Sequence, residues 1–185
     1  QSLDDVVVTY ENGTKEFIQV KHTRENDILS FSDMVEVELK KSYLYKYSSE
    51  WKDMEEKKSG NNKVILFTNR KIGDRKYTPA GGWQRPPLSS FWKNIKEQIS
   101  KLIGMGNSED VDINRIIVNE EWDDAWKKWK KCMEKLNDKE KFNFLKNFDL
   151  VTDQEDIKEM IDIIAYELQK VFGTTHEIAV RLHQK

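Results

Sequence analysis

Two short β-prone runs joined by Asn12-Gly13 constrain this chain more than any other feature. Val6, Val7, Val8 and Thr9 are β-branched, so Asp5 to Tyr10 reads as a strand. An Asn-Gly pair tolerates positive φ at both central positions and predicts a two-residue hairpin. Glu16 to Lys21 then returns as the second strand, with Phe17, Gln19 and Lys21 on one face and Ile18 and Val20 on the other. Pairing about Asn12-Gly13 places opposite one another residues whose numbers sum to about 25, which puts Gln19 near the start of the first strand.

The rest of the chain reads as helices around a sheet. A long helix is expected from Ser32, capped by a serine or by Asp33. Along it Val37, Leu44, Tyr47, Trp51 and Met54 recur at helical spacing and form a core-facing stripe. Ser59-Gly60-Asn61-Asn62 breaks this helix, and Val64 to Thr68 is a continuous apolar strand of the buried parallel type. Strand, helix and strand in that order mark a crossover unit. Asp74 to Pro87 holds Gly81-Gly82 and all three prolines, so it reads as a loop or flap. Helices are expected over 88–103 and 121–136, the latter carrying Trp122, Trp126, Trp129 and Met133. Residues 113–118 and 142–150 each read as strand or helix. An amphipathic helix is predicted over 153–172, ended by Gly173, and another begins at Thr175. The expected class is α/β, a mixed central sheet flanked by helices, with residues 1–118 as the core and 119–185 as a helical C-terminal portion of the same domain.

Charge and cysteine content narrow the function. Thirty-one basic against 33 acidic residues give a net charge of −2, which argues against a domain that coats nucleic acid through bulk charge. The one cysteine, Cys132, excludes an intramolecular disulfide and a cysteine-cluster zinc site, and reads as a plain thiol. No run is apolar enough to span a membrane and no signal peptide opens the sequence, so a cytoplasmic protein is expected. The chain begins at Gln1 and stops inside a helical pattern, and so reads as a piece of a longer protein.

The chemistry concentrates in the hairpin. An acid at the start of its first strand, Asp5 or its neighbour Asp4, can converge with Gln19 on one cation, with Lys21 one pleat further along. A hard ion such as Mg²⁺ takes oxygen ligands, here a carboxylate and an amide oxygen. Such an ion acidifies a bound water and neutralises charge developing on a phosphate, while Lys21 orients the water or stabilises the oxyanion. His22 reads either as a phosphate contact or as a hydrogen-bonded structural residue, and Arg70 as a phosphate clamp or a surface group. Lys127 and Lys128, with Lys130 and Lys131, line a DNA channel or simply solvate a helix face. Trp83 in the Gly-Pro loop reads as a groove wedge or a packing residue.

Phe17-Ile18-Gln19-Val20-Lys21-His22-Thr23 resembles the second catalytic half-motif of PD-(D/E)XK nucleases, in the variant with Gln in place of Glu. More narrowly it resembles the N-terminal effector nuclease domains of bacterial anti-phage proteins, both cyclic-oligonucleotide-activated effectors and STAND-type NTPases. Lys40-Lys41-Ser42-Tyr43-Leu44, the run Val64 to Arg70, and Phe144-Leu145 with Phe148 are similar to segments of the same group. The resemblance implies a restriction-endonuclease-like core. It makes Asp5 (with Asp4 as rival) the metal-binding acid, Gln19 the second metal position and Lys21 the catalytic lysine. It further implies Mg²⁺ as cofactor, with Mn²⁺ able to substitute, double-stranded DNA as substrate, and self-association of the full-length protein. The alternative is a nuclease-like domain without catalysis that binds DNA or serves assembly.

Overall fold

The computed structural model describes residues 6–21, 23, 27–35, 38, 41–53, 62–78, 82–105 and 111–153. Strand β1 (Val6–Thr9) pairs antiparallel with β2 (Lys15–Lys21). Val6 faces Ile18, where a two-residue turn would have set it against Gln19. The loop holds three residues: Tyr10 N donates to Thr14 O (2.9 Å), and Gly13 N to Tyr10 O (2.9 Å). Within this loop Gly13 alone takes positive φ, +81°, while Asn12 accepts from Thr14 N through its side chain at 2.9 Å. This is a turn closed by a glycine bulge, the next commonest hairpin connection. A Cβ at Gly13 would meet no atom within 4 Å, so the penalty for substitution is purely conformational. Gly13→Ala is expected to lower stability by about 1 kcal/mol, seen as a shifted urea midpoint at unchanged slope.

Short strand β3 (Ile28–Leu29) and helix α1 (Phe31–Met34) follow. Ser30 caps α1 in a reciprocal box with Asp33, so the expected serine cap is Ser30, with Asp33 as its partner. The long helix expected from Ser32 is not continuous. Val35 leaves helical geometry at φ −135°, and helix α2 runs over Tyr43–Asp53. Of the predicted stripe, Leu44, Tyr47 and Trp51 are buried, whereas Val37 and Met54 lie outside the described residues.

Strand β4 (Lys63–Thr68) lies parallel to β2, pairing Phe17 with Val64 and Gln19 with Leu66. Its Val64, Ile65 and Leu66 are buried, as the unbroken apolar run predicts. Strand β5 (Lys71–Ile72) pairs parallel with β3. Then come α3 (Leu88–Gly104), α4 (Asp123–Cys132) and α5 (Asp138–Asn147), with 3-10 turns at Ile113–Arg115 and Glu120–Trp122.

Residues 142–150 resolve into both readings: α5 ends at Asn147 and β6 (Phe148–Val151) starts at once. Strand β6 pairs parallel with β4, giving the sheet order β1-β2-β4-β6. The portion beyond residue 118, expected to be helical, thus supplies a sheet strand. Residues 154–185, which carry the two predicted C-terminal helices, lie outside the described residues.

Aromatic packing joins helices to sheet. Phe148 meets Tyr47 at 5.6 Å, Trp92 at 5.8 Å and Phe144 at 5.2 Å between ring centroids. Phe31 sits edge-on to Phe91 at 5.1 Å, and Trp129 packs on Phe91 at 5.2 Å. Such contacts stabilise beyond the burial of their area alone. Cys132 is buried with them, and loss of solvation pushes its thiol pKa up, which suits an inert thiol. Among the described residues no helix is long and apolar enough to cross a membrane.

Candidate active site at the carboxyl edge of the sheet

Strands β2, β4 and β6 are mutually parallel, and ligands in open α/β sheets bind beyond the carboxyl ends of such strands. That edge of β2 is Gln19-Val20-Lys21. Period two sets Gln19 and Lys21 on one face, in line with Phe17. On β4 their partners are Leu66 and Thr68. The face changes character along the strand: Phe17 and Gln19 are each 5% exposed, whereas Lys21 is exposed. Gln19 is thus rooted in the core and Lys21 stands at its rim.

Two asparagines pin this strand pair beyond its ladder. At its start Asn62 Oδ1 accepts from Lys15 N at 2.8 Å. At its end Asn69 binds Thr23 twice, accepting from its N at 3.0 Å and donating to its O at 2.8 Å. The buried Asn69 side chain thereby imitates one more residue of parallel strand, and fixes the backbone two residues past Lys21. Asn69→Ala is expected to cost about 2 kcal/mol in urea unfolding, because two backbone groups of Thr23 lose their partner. The sequence signal was the polar Thr68-Asn69-Arg70 following an apolar run.

Arg70 takes a different place from the phosphate clamp or surface group expected. Its side chain is 8% exposed, and Nη2 donates to Ile28 O (2.6 Å), Asp33 (3.1 Å) and Asp27 (3.2 Å). Its carbonyl accepts from Asp153 N at 2.9 Å. The guanidinium therefore ties β3 to the α1 cap through Nη2, while the Arg70 backbone carbonyl holds the exit of β6.

The lysines belong to another element. Lys127 pairs with Asp123 at 2.6 Å and Asp124 at 3.4 Å on the exposed side of α4. The hydrogen bond from Lys127 to Asp123 and the charge of that carboxylate hold its ammonium above the usual lysine range. Lys128 lies over the Trp83 ring at 5.1 Å, and Trp83 itself packs edge-on against Phe31 at 5.6 Å. Trp83 is thus a packing residue, and Lys128 caps it.

Asp4, Asp5 and His22 lie outside the described residues. Among the described residues no three His, Cys, Asp or Glu side chains gather into a group that could hold a metal. On the face of β2 that carries Lys21, the described residues offer a cation the amide oxygen of Gln19; Glu16 lies on the other face of β2, where it accepts from Tyr10 OH at 2.9 Å, and Glu11 lies in the turn. Comparison of the chain with protein-family models, curated proteins and solved structures gives no match.

Proposed function

We propose that this chain is a metal-dependent DNA endonuclease domain of the PD-(D/E)XK type, acting on double-stranded DNA with little sequence specificity. The observation that carries the reading is the pairing of Gln19 and Lys21 on one face at the carboxyl end of β2, pinned by Asn69. The hairpin register supports it as well. With Val6 opposite Ile18, a ladder carried one rung further would set position 5 against Gln19. In an antiparallel pair, directly opposed residues share a face. Asp5, with Asp4 as alternative, and Gln19 would hold Mg²⁺ or Mn²⁺ there. The bound ion would supply an acidified water and neutralise phosphate charge.

Lys21 meets that chemistry from the protein side. It is exposed at the end of β2, where it can orient water by hydrogen bonding and stabilise negative charge on the phosphate oxygens. The core-rooted neighbours Phe17 and Gln19 fix the strand, so Lys21 is aimed by the backbone and not by its own packing. The cellular role that fits is the effector part of an anti-phage defence protein, controlled by self-association in the full-length molecule.

A second reading draws on one specific feature. Gln19 is neutral and 5% exposed, which also suits a nuclease-like scaffold that binds DNA without cutting it. Incubating linear and supercoiled DNA with the protein in Mg²⁺, Mn²⁺ or EDTA tests the two. Cutting in either metal and none in EDTA is expected. DNA binding without cutting, in full-length protein as well, would leave the scaffold.

A further inference from the structure

We propose that the cavity between the α1 cap and the segments 74–77 and 85–88 is a nucleotide pocket, taking one unpaired base with its phosphate. The cavity measures about 280 Å³. Its floor is apolar, formed by Phe31, Pro86 and Leu88, while Ser32, Arg75, Tyr77 and Arg85 stand around it. An apolar lining with a few polar groups beside it suits a heterocycle carrying a charged group. The space is small for a drug-sized ligand and adequate for a single base.

The rim is held by the backbone. Tyr77 and Arg85 face each other across an isolated antiparallel bridge, with Tyr77 N donating to Arg85 O at 3.1 Å and Arg85 N to Tyr77 O at 2.7 Å. The Tyr77 ring is nonetheless 58% exposed, so this large ring is fixed without being buried. An exposed aromatic on a fixed backbone is a stacking platform for a base. Beside it the Arg85 guanidinium lies 5.8 Å from the Tyr77 ring and 5.8 Å from the Trp83 ring, and donates to Ser32 Oγ.

Charge selects the ligand class. Arg75 is 92% exposed, and its Nε is 4.0 Å from Asp74, a contact too long and too wet to neutralise it. Lys76, by contrast, is taken by Glu121 at 2.7 Å. Arg75 and Arg85 thus offer a phosphate two guanidinium groups at the mouth of an apolar slot. Strand β5 follows the carboxyl end of β4 after Asn69 and Arg70, and Gly73, which lines the cavity just past β5, accepts through its O from Ser89 N at the start of α3 (3.0 Å). The lining thus begins within five residues of the end of β4, the side on which such sheets bind ligands. For a nucleotide within a DNA strand the assignment rests on the nuclease reading; for a free nucleotide it stands alone.

The test uses the full chain in EDTA, so that cleavage cannot interfere. Deoxyadenosine monophosphate is titrated by calorimetry and a short labelled single strand by anisotropy. Tyr77→Ala is expected to weaken binding about tenfold, Tyr77→Phe to retain it, and Arg75→Glu to weaken it with a shallower salt dependence. Strand and mononucleotide weakened together, or either one alone, support the pocket and say which source it serves. Binding by neither, or binding untouched by Tyr77→Ala and Arg75→Glu, overturns it. Lys21→Ala separates this result from the nuclease reading. If that variant still cuts DNA, the catalytic assignment falls and the pocket stands. If wild type cuts DNA but shows no binding through Tyr77, the pocket falls and the nuclease reading stands.

Discussion

Lys21→Ala should lower DNA cleavage at least about 100-fold while leaving the unfolding midpoint within about 0.5 kcal/mol of wild type. The two halves of this expectation have separate physical origins. Lys21 closes β2 and is exposed, so its truncation opens no cavity and strips no buried partner. Its ladder pairing with Thr68 is made by the backbone, and the clamp on Thr23 by the Asn69 side chain, so alanine at position 21 preserves both. Cleavage, by contrast, needs a cation other than the metal at the attacked phosphate, and a donor aimed at developing charge is worth about two to three orders of magnitude. Lys21→Arg is expected to restore only part of the rate, because a planar fork replaces a compact ammonium. Supercoiled-DNA relaxation beside urea unfolding measures both quantities on one preparation. Undiminished cutting by Lys21→Ala would remove the lysine from the mechanism.

The hairpin, the buried β4 run and the aromatic faces of α3 and α4 were legible because each rests on local periodicity. The hairpin register was not. A glycine bulge and a two-residue turn read alike as Asn12-Gly13, yet they differ by one rung, which sets Val6 against Ile18. The break after α1 was hidden for a similar reason. Leu44, Tyr47 and Trp51 keep helical spacing by themselves, and that spacing carries no sign that the chain leaves the helix at Val35. Strand β6 is four residues long, Phe-Asp-Leu-Val, too short for its alternation to outvote the helix before it. Only pairing with β4, distant in sequence, makes it a strand. At the site, the shared face of Gln19 and Lys21 follows from period two and was visible. The Asn69 clamp and the inward Arg70 depend on chain segments about 40 residues away, which no local pattern encodes.

Arg70→Ala is accordingly expected to be the most damaging of these substitutions for stability, by about 3 kcal/mol in urea unfolding. Deleting the guanidinium removes a 2.6 Å donor from Ile28 O and the cationic partner of Asp33 and Asp27. Asp33 is the more costly loss, since it is only 28% exposed and already accepts from Ser30 N and Oγ at 2.7 Å each. Without Arg70 its charge remains half-buried, while Asp27, 60% exposed, recovers hydration easily. Arg70→Lys should rescue little, because all three contacts are made by Nη2, one bond further from the backbone than a lysine ammonium reaches. The same variant decides between the role shown by burial and the one suggested by sequence. A domain that keeps its midpoint but loses salt-dependent DNA binding would return Arg70 to the phosphate-clamp role. A lowered midpoint, with DNA affinity unchanged wherever the variant is folded, fixes its side chain as the tie between β3 and the α1 cap.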